Sequence, residues 1–373
     1  MLESLLADTR ALIECESPSA DLDAVARCAE VVARVGAARM GASAERIVLD
    51  GRTHLRWRFG AGPSRVLVLG HHDTVWPIGT LASIPYAVEA GVLRGPGCLD
   101  MKTGVAMAFH AIAALPHRDG ITLLVTGDEE LGSPSSRPLI EAEARAAGAA
   151  LVLEAAADGG ALKTERKGVS IYELIVAGRA AHAGLAPEQG VNATVELAHQ
   201  VLRIAALSDP GAGTTVTPTL ARAGTTTNTV PAGARVAVDV RIRSVAEQRR
   251  VDDAIRDLAA VLPGAVLEVT GGPNRAPLEA AASATLFARA QTLAHSLGLP
   301  PLAAAAVGGA SDGNLTAGTG TPTLDGLGAV GGGAHADDEH VRLEFLTGRT
   351  ALLGSLLTDL LTAVPIRPET TGA

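Results

Sequence analysis

A chain of 373 residues, 47% apolar and 19% charged, is long enough for two domains and apolar enough to bury a large core. Its net charge of −9, with no long run of either sign, argues against a nucleic-acid surface, which needs a basic patch. Three cysteines without paired spacing (Cys15, Cys28, Cys98) argue against a disulfide framework, and no run of about 20 apolar residues offers a membrane span. The acidic start, Met1 to Asp8, is unlike a signal peptide, so a reducing, cytoplasmic setting is expected. Aromatic residues make up only 2%, which leaves Ala, Val, Leu and Gly to fill the core.

In chain order, residues 1–40 read as two helices divided at Ser17-Pro18-Ser19. A continuous apolar strand, 65–69, ends at His71, and an Ala-rich helix covers 102–115. A second buried strand, 121–126, ends at Asp128-Glu129-Glu130, and a third, 149–153, ends at Glu154. Unbroken Val/Leu runs belong to strands covered on both faces, hence a mostly parallel sheet flanked by helices in an α/β domain. Such sheets bind ligands beyond the carboxyl ends of their strands, where His71, Glu129, Glu130 and Glu154 all fall.

Near residue 168 the texture changes. Strand 169–176 alternates, a helix follows over 191–207 and a strand over 214–220. Strand 235–242 then puts Val236, Val238, Val240 and Ile242 on one side. A charged helix (246–262) and a strand (265–269) complete the order β-α-β-β-α-β, which predicts a small antiparallel, ferredoxin-like sheet backed by two helices. Gly271-Gly272-Pro273 reads as the exit linker. After Ala280 the α/β pattern resumes, with a helix over 283–297, strands near 303–307 and 322–326, and a last helix over 341–363. One domain is therefore expected from 1–167 and 277–373, with 168–276 inserted in it. The end, Pro368 to Ala373, is expected to fray.

Five separated segments carry the chemistry: His71 in Gly70–Val75, Asp100 in Gly95–Lys102, Glu129-Glu130, Glu154, and His335 after three glycines. Each has a bland reading. His71 and His72 could be loop histidines, Asp100 a helix N-cap, Glu129-Glu130 a solvated loop. Glu154 ends an apolar strand, where an unpaired acid costs several kcal/mol. Together, two histidines and several carboxylates suit zinc, and carboxylates can bridge two ions. The set is large enough for two metals sharing a carboxylate, with one Glu left over as a base. Asp73 stands where it can fix the tautomer of His71, and His72 should point away. A Gly-rich loop at the first strand-to-helix turn is missing, which argues against nucleotide binding.

The segments 70–75, 94–102, 126–133, 178–184, 228–231, 308–314 and 325–339 resemble, in order and spacing, the co-catalytic zinc exopeptidase family. That family includes bacterial glutamate carboxypeptidases, aminoacylases, acetylornithine deacetylases and succinyl-diaminopimelate desuccinylases. The likeness is closest to the glutamate carboxypeptidases, through Gly95-Pro96-Gly97-Cys98-Leu99-Asp100-Met101-Lys102 and Gly308-Gly309-Ala310-Ser311-Asp312-Gly313-Asn314. It implies two Zn2+ per chain, with Co2+ or Mn2+ not separable from sequence. By matched positions, His71 and Glu154 would bind one ion, Glu130 and His335 the other, and Asp100 would bridge. Asp73 would orient His71, and Glu129 would be the general base.

The inserted domain would be a lid and dimerisation domain, making a homodimer, with His182 as oxyanion donor. Asn228, Arg241 and Arg275 would hold a substrate carboxylate. The substrate would be a small N-acyl amino acid or peptide with a free carboxylate, with no nucleic-acid or membrane partner. Two departures stand out: Cys98 occupies a position usually small or aliphatic, where it could meet zinc or oxidants if exposed. Ala155-Ala156 follows Glu154 where glutamate-releasing relatives often have Pro-Thr. The alternatives are an N-acyl-amino-acid deacylase of the same family and a non-catalytic ligand-binding protein on the same fold. The intact ligand set and Glu129 argue against the latter.

Overall fold

The computed structural model describes residues 1–362, so the tail read as frayed lies outside the described residues. Among the described residues no helix is long and apolar enough to cross a membrane. The chain divides into two compact units: Met1–Glu165 with Glu279–Val307 and the residues from Ser311 on, and Arg166–Leu278 with Gly308–Ala310.

The first unit is built on a six-stranded sheet. Its strands β1 (Glu45–Leu49) and β2 (Arg52–Arg58) form an antiparallel hairpin at one edge. Next come β4 (Ile121–Thr126), β3 (Val66–His71), β5 (Ala149–Val152) and the short strand Thr323–Leu324, all parallel to one another. Every residue of β3, β4 and β5 is buried, as their unbroken apolar runs require. The main core joins this sheet to α1 (Leu2–Ile13), α2 (Leu22–Met40), α3 (Thr103–Ala113) and the final helix Leu343–Thr362. It includes Trp57 packed edge-on to Phe109, but Ala, Val and Leu supply most of it. A side chain at Gly104 would put its Cβ 2.4 Å from the Leu153 carbonyl. Glycine there lets α3 lie directly against the end of β5, where Glu154 emerges.

The second unit carries β6 (Gly168–Ala177), β7 (Thr215–Ala223), β8 (Gly233–Ile242) and β9 (Val266–Arg275) in the antiparallel order β7-β8-β6-β9. Its core takes Val236, Val238, Val240 and Ile242 from the alternating face of β8. The helices Ala193–Ala205 and Val245–Arg256 contribute Leu197, Ile204, Val251 and Ile255. With two helices between four strands, this is the ferredoxin-like order.

Four elements differ from the sequence reading. Gly271-Gly272-Pro273 is no linker: β9 runs on to Arg275, pairing with β6 and shifting register only after Pro273. The charged helix stops at Arg256 rather than 262, because Val261 and Leu262 donate their N–H groups to the Glu196 carboxylate instead of to a helical turn. The helix Arg137–Ala146 and the β1–β2 hairpin were not singled out in the sequence at all.

Candidate metal centre

In the first unit, β3 ends in His71, whose Nδ1 lies 3.0 Å from the carbonyl oxygen of Asp73 and 3.5 Å from its carboxylate. The main-chain carbonyl, not the carboxylate, is thus the nearer acceptor for the Nδ1 proton. Either partner leaves Nε2 facing the cluster, 3.2 Å from Asp100 Oδ1 and 3.8 Å from Glu154 Oε1. The Asp73 carboxylate binds its other neighbours. It accepts the Ser19 hydroxyl at 2.6 Å and the main-chain N–H groups of Glu129 and Glu130 at 3.2 and 3.3 Å. One buried aspartate therefore connects the His71 strand to the two acids that follow β4. His72 turns away and lies 3.1 Å from the Thr53 carbonyl through Nε2.

On the other side, His335 Nε2 stands 3.2 Å from both Asp100 Oδ2 and Glu130 Oε1. The two oxygens of Asp100 thus face two different imidazoles. A single ring nitrogen carries one proton and cannot donate fully to two carboxylates, whereas a cation between them meets all three atoms. Ligand atoms of His71, Asp100 and Glu130 lie within 4.8 Å of one another, as do those of His71, Glu129 and Glu154. This donor set of imidazoles and carboxylates fits zinc-type divalent ions.

The electrostatics fit as well. Burial alone would lower His71, but Asp100 and Asp73 raise it well above its usual 6.5. Hydrogen bonding to Asp100 and then Glu130 pushes His335 up to about 10. Burial opposes the charge on Asp100, yet His335 and His71 hold its carboxyl well below the ordinary range. A ligating imidazole must give up the proton on its ligating nitrogen, so an incoming cation competes with protons at both histidines.

The supporting residues were less visible in the sequence. Asp128 is fully buried and accepts both the N–H and the hydroxyl of Ser135 and of Ser136. This anchors the turn that presents Glu129 and Glu130. Ser19 and Glu339 are further buried anchors, and a serine-proline loop and an acidic run gave no signal for them. Cys98 sits in an apolar cluster with Leu93, Leu99 and Met107, and burial pushes its thiol well up, so it is neither ligand nor reactive thiol.

The remaining residues singled out in the sequence lie in the second unit. His182 is exposed, its Nδ1 accepting the N–H groups of Gly184 and Leu185 at 3.2 Å, and it pairs with Thr229, next to Asn228. Arg241 and Arg275 flank Val169 on neighbouring strands. Arg241 engages both oxygens of Asp239 at 2.9 and 3.0 Å, and Arg275 is buried.

A mostly parallel sheet with His71, Glu129, Glu130 and Glu154 at or beyond its strand ends, met by Asp100 and His335 from loops outside that sheet, is the framework of a metal-dependent hydrolase. Residues 67–359 match the peptidase family M20/M25/M40, and the chain belongs to that family. It is therefore a metal-dependent hydrolase acting on amide bonds. It is 33% identical to "Carboxypeptidase G2" of Pseudomonas sp. (strain RS-16), over 81% of this chain and 75% of that protein. It is 27% identical to "Succinyl-diaminopimelate desuccinylase 1" of Alteromonas mediterranea, over 87% of this chain and 88% of that protein. In fold it is similar to aminopeptidase PepT from Bacillus cereus, with a TM-score of 0.74 at 21% identity over 97% of this chain and 99% of that one. The metallo-carboxypeptidase Sso-CP2 from Sulfolobus solfataricus gives 0.72 at 16% identity, over 96% and 98%.

Proposed function

We propose that this chain hydrolyses an amide bond beside a free carboxylate and releases a C-terminal amino acid, using two zinc ions per chain. The observation that carries this reading is Asp100, whose two oxygens each lie 3.2 Å from a different histidine. One shared carboxylate between two imidazole-bearing positions is what a two-metal site needs. His71 and Glu154 would hold one ion, Glu130 and His335 the other. Two ions held there would lower the pKa of a water and polarise the scissile carbonyl.

The chain's own groups do the rest. Glu129 takes the water's proton and later hands it to the leaving nitrogen. Asp73 keeps His71 in one tautomer and fixes the Glu129-Glu130 main chain. His182 donates to the developing oxyanion, worth ~3–4 kcal/mol if it behaves like other such donors. Asn228, Arg241 and Arg275 receive the substrate carboxylate, for which a guanidinium fork is well shaped. Asp239 competes with it for Arg241.

A second reading, removal of an N-acyl group from an amino acid, is favoured by the likeness to a desuccinylase and by Ala155-Ala156 after Glu154. A panel of N-acetyl, N-succinyl, N-benzoyl and dipeptide derivatives of Glu, Asp, Leu and Arg, with folate, separates the two. At least one free acid should be cleaved while its methyl ester is not. Preference for Glu with a bulky acyl group supports the carboxypeptidase, and preference for a small acyl group the deacylase. In His182→Ala the rate should fall about 10²–10³-fold with KM little changed. Equal turnover of acids and esters would contradict the carboxylate requirement, and an unchanged rate would remove His182 from the mechanism.

A further inference from the structure

Glu339 is almost fully buried, at 1% exposure, four residues after His335. Its Oε1 accepts the main-chain N–H of Leu99 at 2.8 Å and of Asp100 at 3.1 Å. Its Oε2 accepts the N–H of Gly97 at 2.9 Å and the Trp76 indole at 2.8 Å. Four donors on one carboxylate account for its whole accepting capacity. They come from the Asp100 loop and from Trp76, three residues after Asp73. Pairing of His340 with Arg94 brings the two chain segments side by side just before the loop. Glu339 then fixes what the pairing leaves loose.

The two metal positions do not depend on this equally. His71 is buried at the end of a central strand. His335 is 47% exposed and sits on a turn with φ of 62°, a left-handed conformation that side chains seldom adopt unaided. It lies in the turn between Gly331–Gly332 and His340–Arg342, which pair, and Glu339 ties the end of that turn to the Asp100 loop.

We propose that Glu339 is a positioning residue that locks the His335 segment to the Asp100 loop, and so holds the His335–Glu130–Asp100 metal position together. This rests on the two-metal reading and adds a residue that reading does not use. A glutamine at 339 keeps the shape but, whichever way its amide turns, sets an NH2 group against two N–H donors.

The test is zinc affinity of the full-length, metal-free protein, measured by competition with a chromophoric chelator. The wild type should take two ions. Glu339→Gln should keep one at near wild-type affinity and bind the other about 10–100-fold more weakly. The ion it retains should match the single one held by His335→Ala. Two unchanged affinities, equal weakening of both, or a lower Tm with binding intact would each overturn the inference while the two-metal reading stands. A wild type that takes only one ion would overturn both. If Glu339→Gln does not fold, Glu339→Asp decides, because its shorter side chain cannot reach both pairs of donors. The same selective loss is expected there, and unchanged affinities would overturn the proposal.

Discussion

Replacing Glu129 with alanine is expected to lower kcat about 10²–10⁴-fold while two metal ions stay bound. The side chain is buried beside the cluster, and its main chain is tied to Asp73. The turn that carries it is anchored separately by Asp128 on Ser135 and Ser136. Removing the carboxylate should therefore leave the neighbouring ligands in place and take away only the group that accepts the proton. The geometry also makes the result informative in the other direction, because a Glu129 oxygen lies within 4.8 Å of a ring nitrogen of His71 and a carboxylate oxygen of Glu154. Loss of a metal ion together with activity would show Glu129 to be a ligand. The paired measurements are metal content after gel filtration and turnover of the best substrate.

Asp100→Ala should do the opposite, emptying the site and abolishing turnover as a consequence. Without Asp100 each of the two proposed metal positions would keep one imidazole and one carboxylate, short of the three protein ligands that catalytic zinc sites use. Loss of the metal contribution, several kcal/mol, corresponds to a fall of about 10³-fold or more. Less than one tightly held ion per chain is expected by metal analysis. Retention of two ions at wild-type affinity would mean that the carboxylate is not shared. Set side by side, the two variants separate chemistry from assembly: one keeps the metals and loses the rate, the other loses both.

Much of this was legible because strong rules apply at the relevant positions. β3, β4 and β5 are continuous apolar runs buried on both faces, so their ends, and hence His71, Glu129 and Glu154, could be located from pattern alone. The alternation of β8 marked the second unit in the same way. What stayed hidden depends on tertiary partners. Gly271-Gly272-Pro273 has turn composition, yet β6 supplies a strand for it to pair with. Residues beyond Arg256 have helical composition, yet Glu196 claims the N–H groups of Val261 and Leu262. Glu339 sits in the run Asp337-Asp338-Glu339, which reads as a solvated loop. Only the fold reveals that four N–H groups converge on the last of the three. The Asp73 carboxylate was expected to hold the His71 ring, and the structure gives its closest contacts to Ser19 and to the amides of Glu129 and Glu130. Its role in orienting His71 is shared with its own carbonyl.

If two ions share Asp100 and both are needed, activity has a stoichiometry of two. Stepwise titration of the metal-free protein with zinc, following turnover of the preferred substrate at each addition, reads that stoichiometry. Little activity is expected up to one equivalent per chain, then a steep rise to a plateau at two. A plateau at one equivalent, with no further gain on adding the second, would show that a single ion suffices.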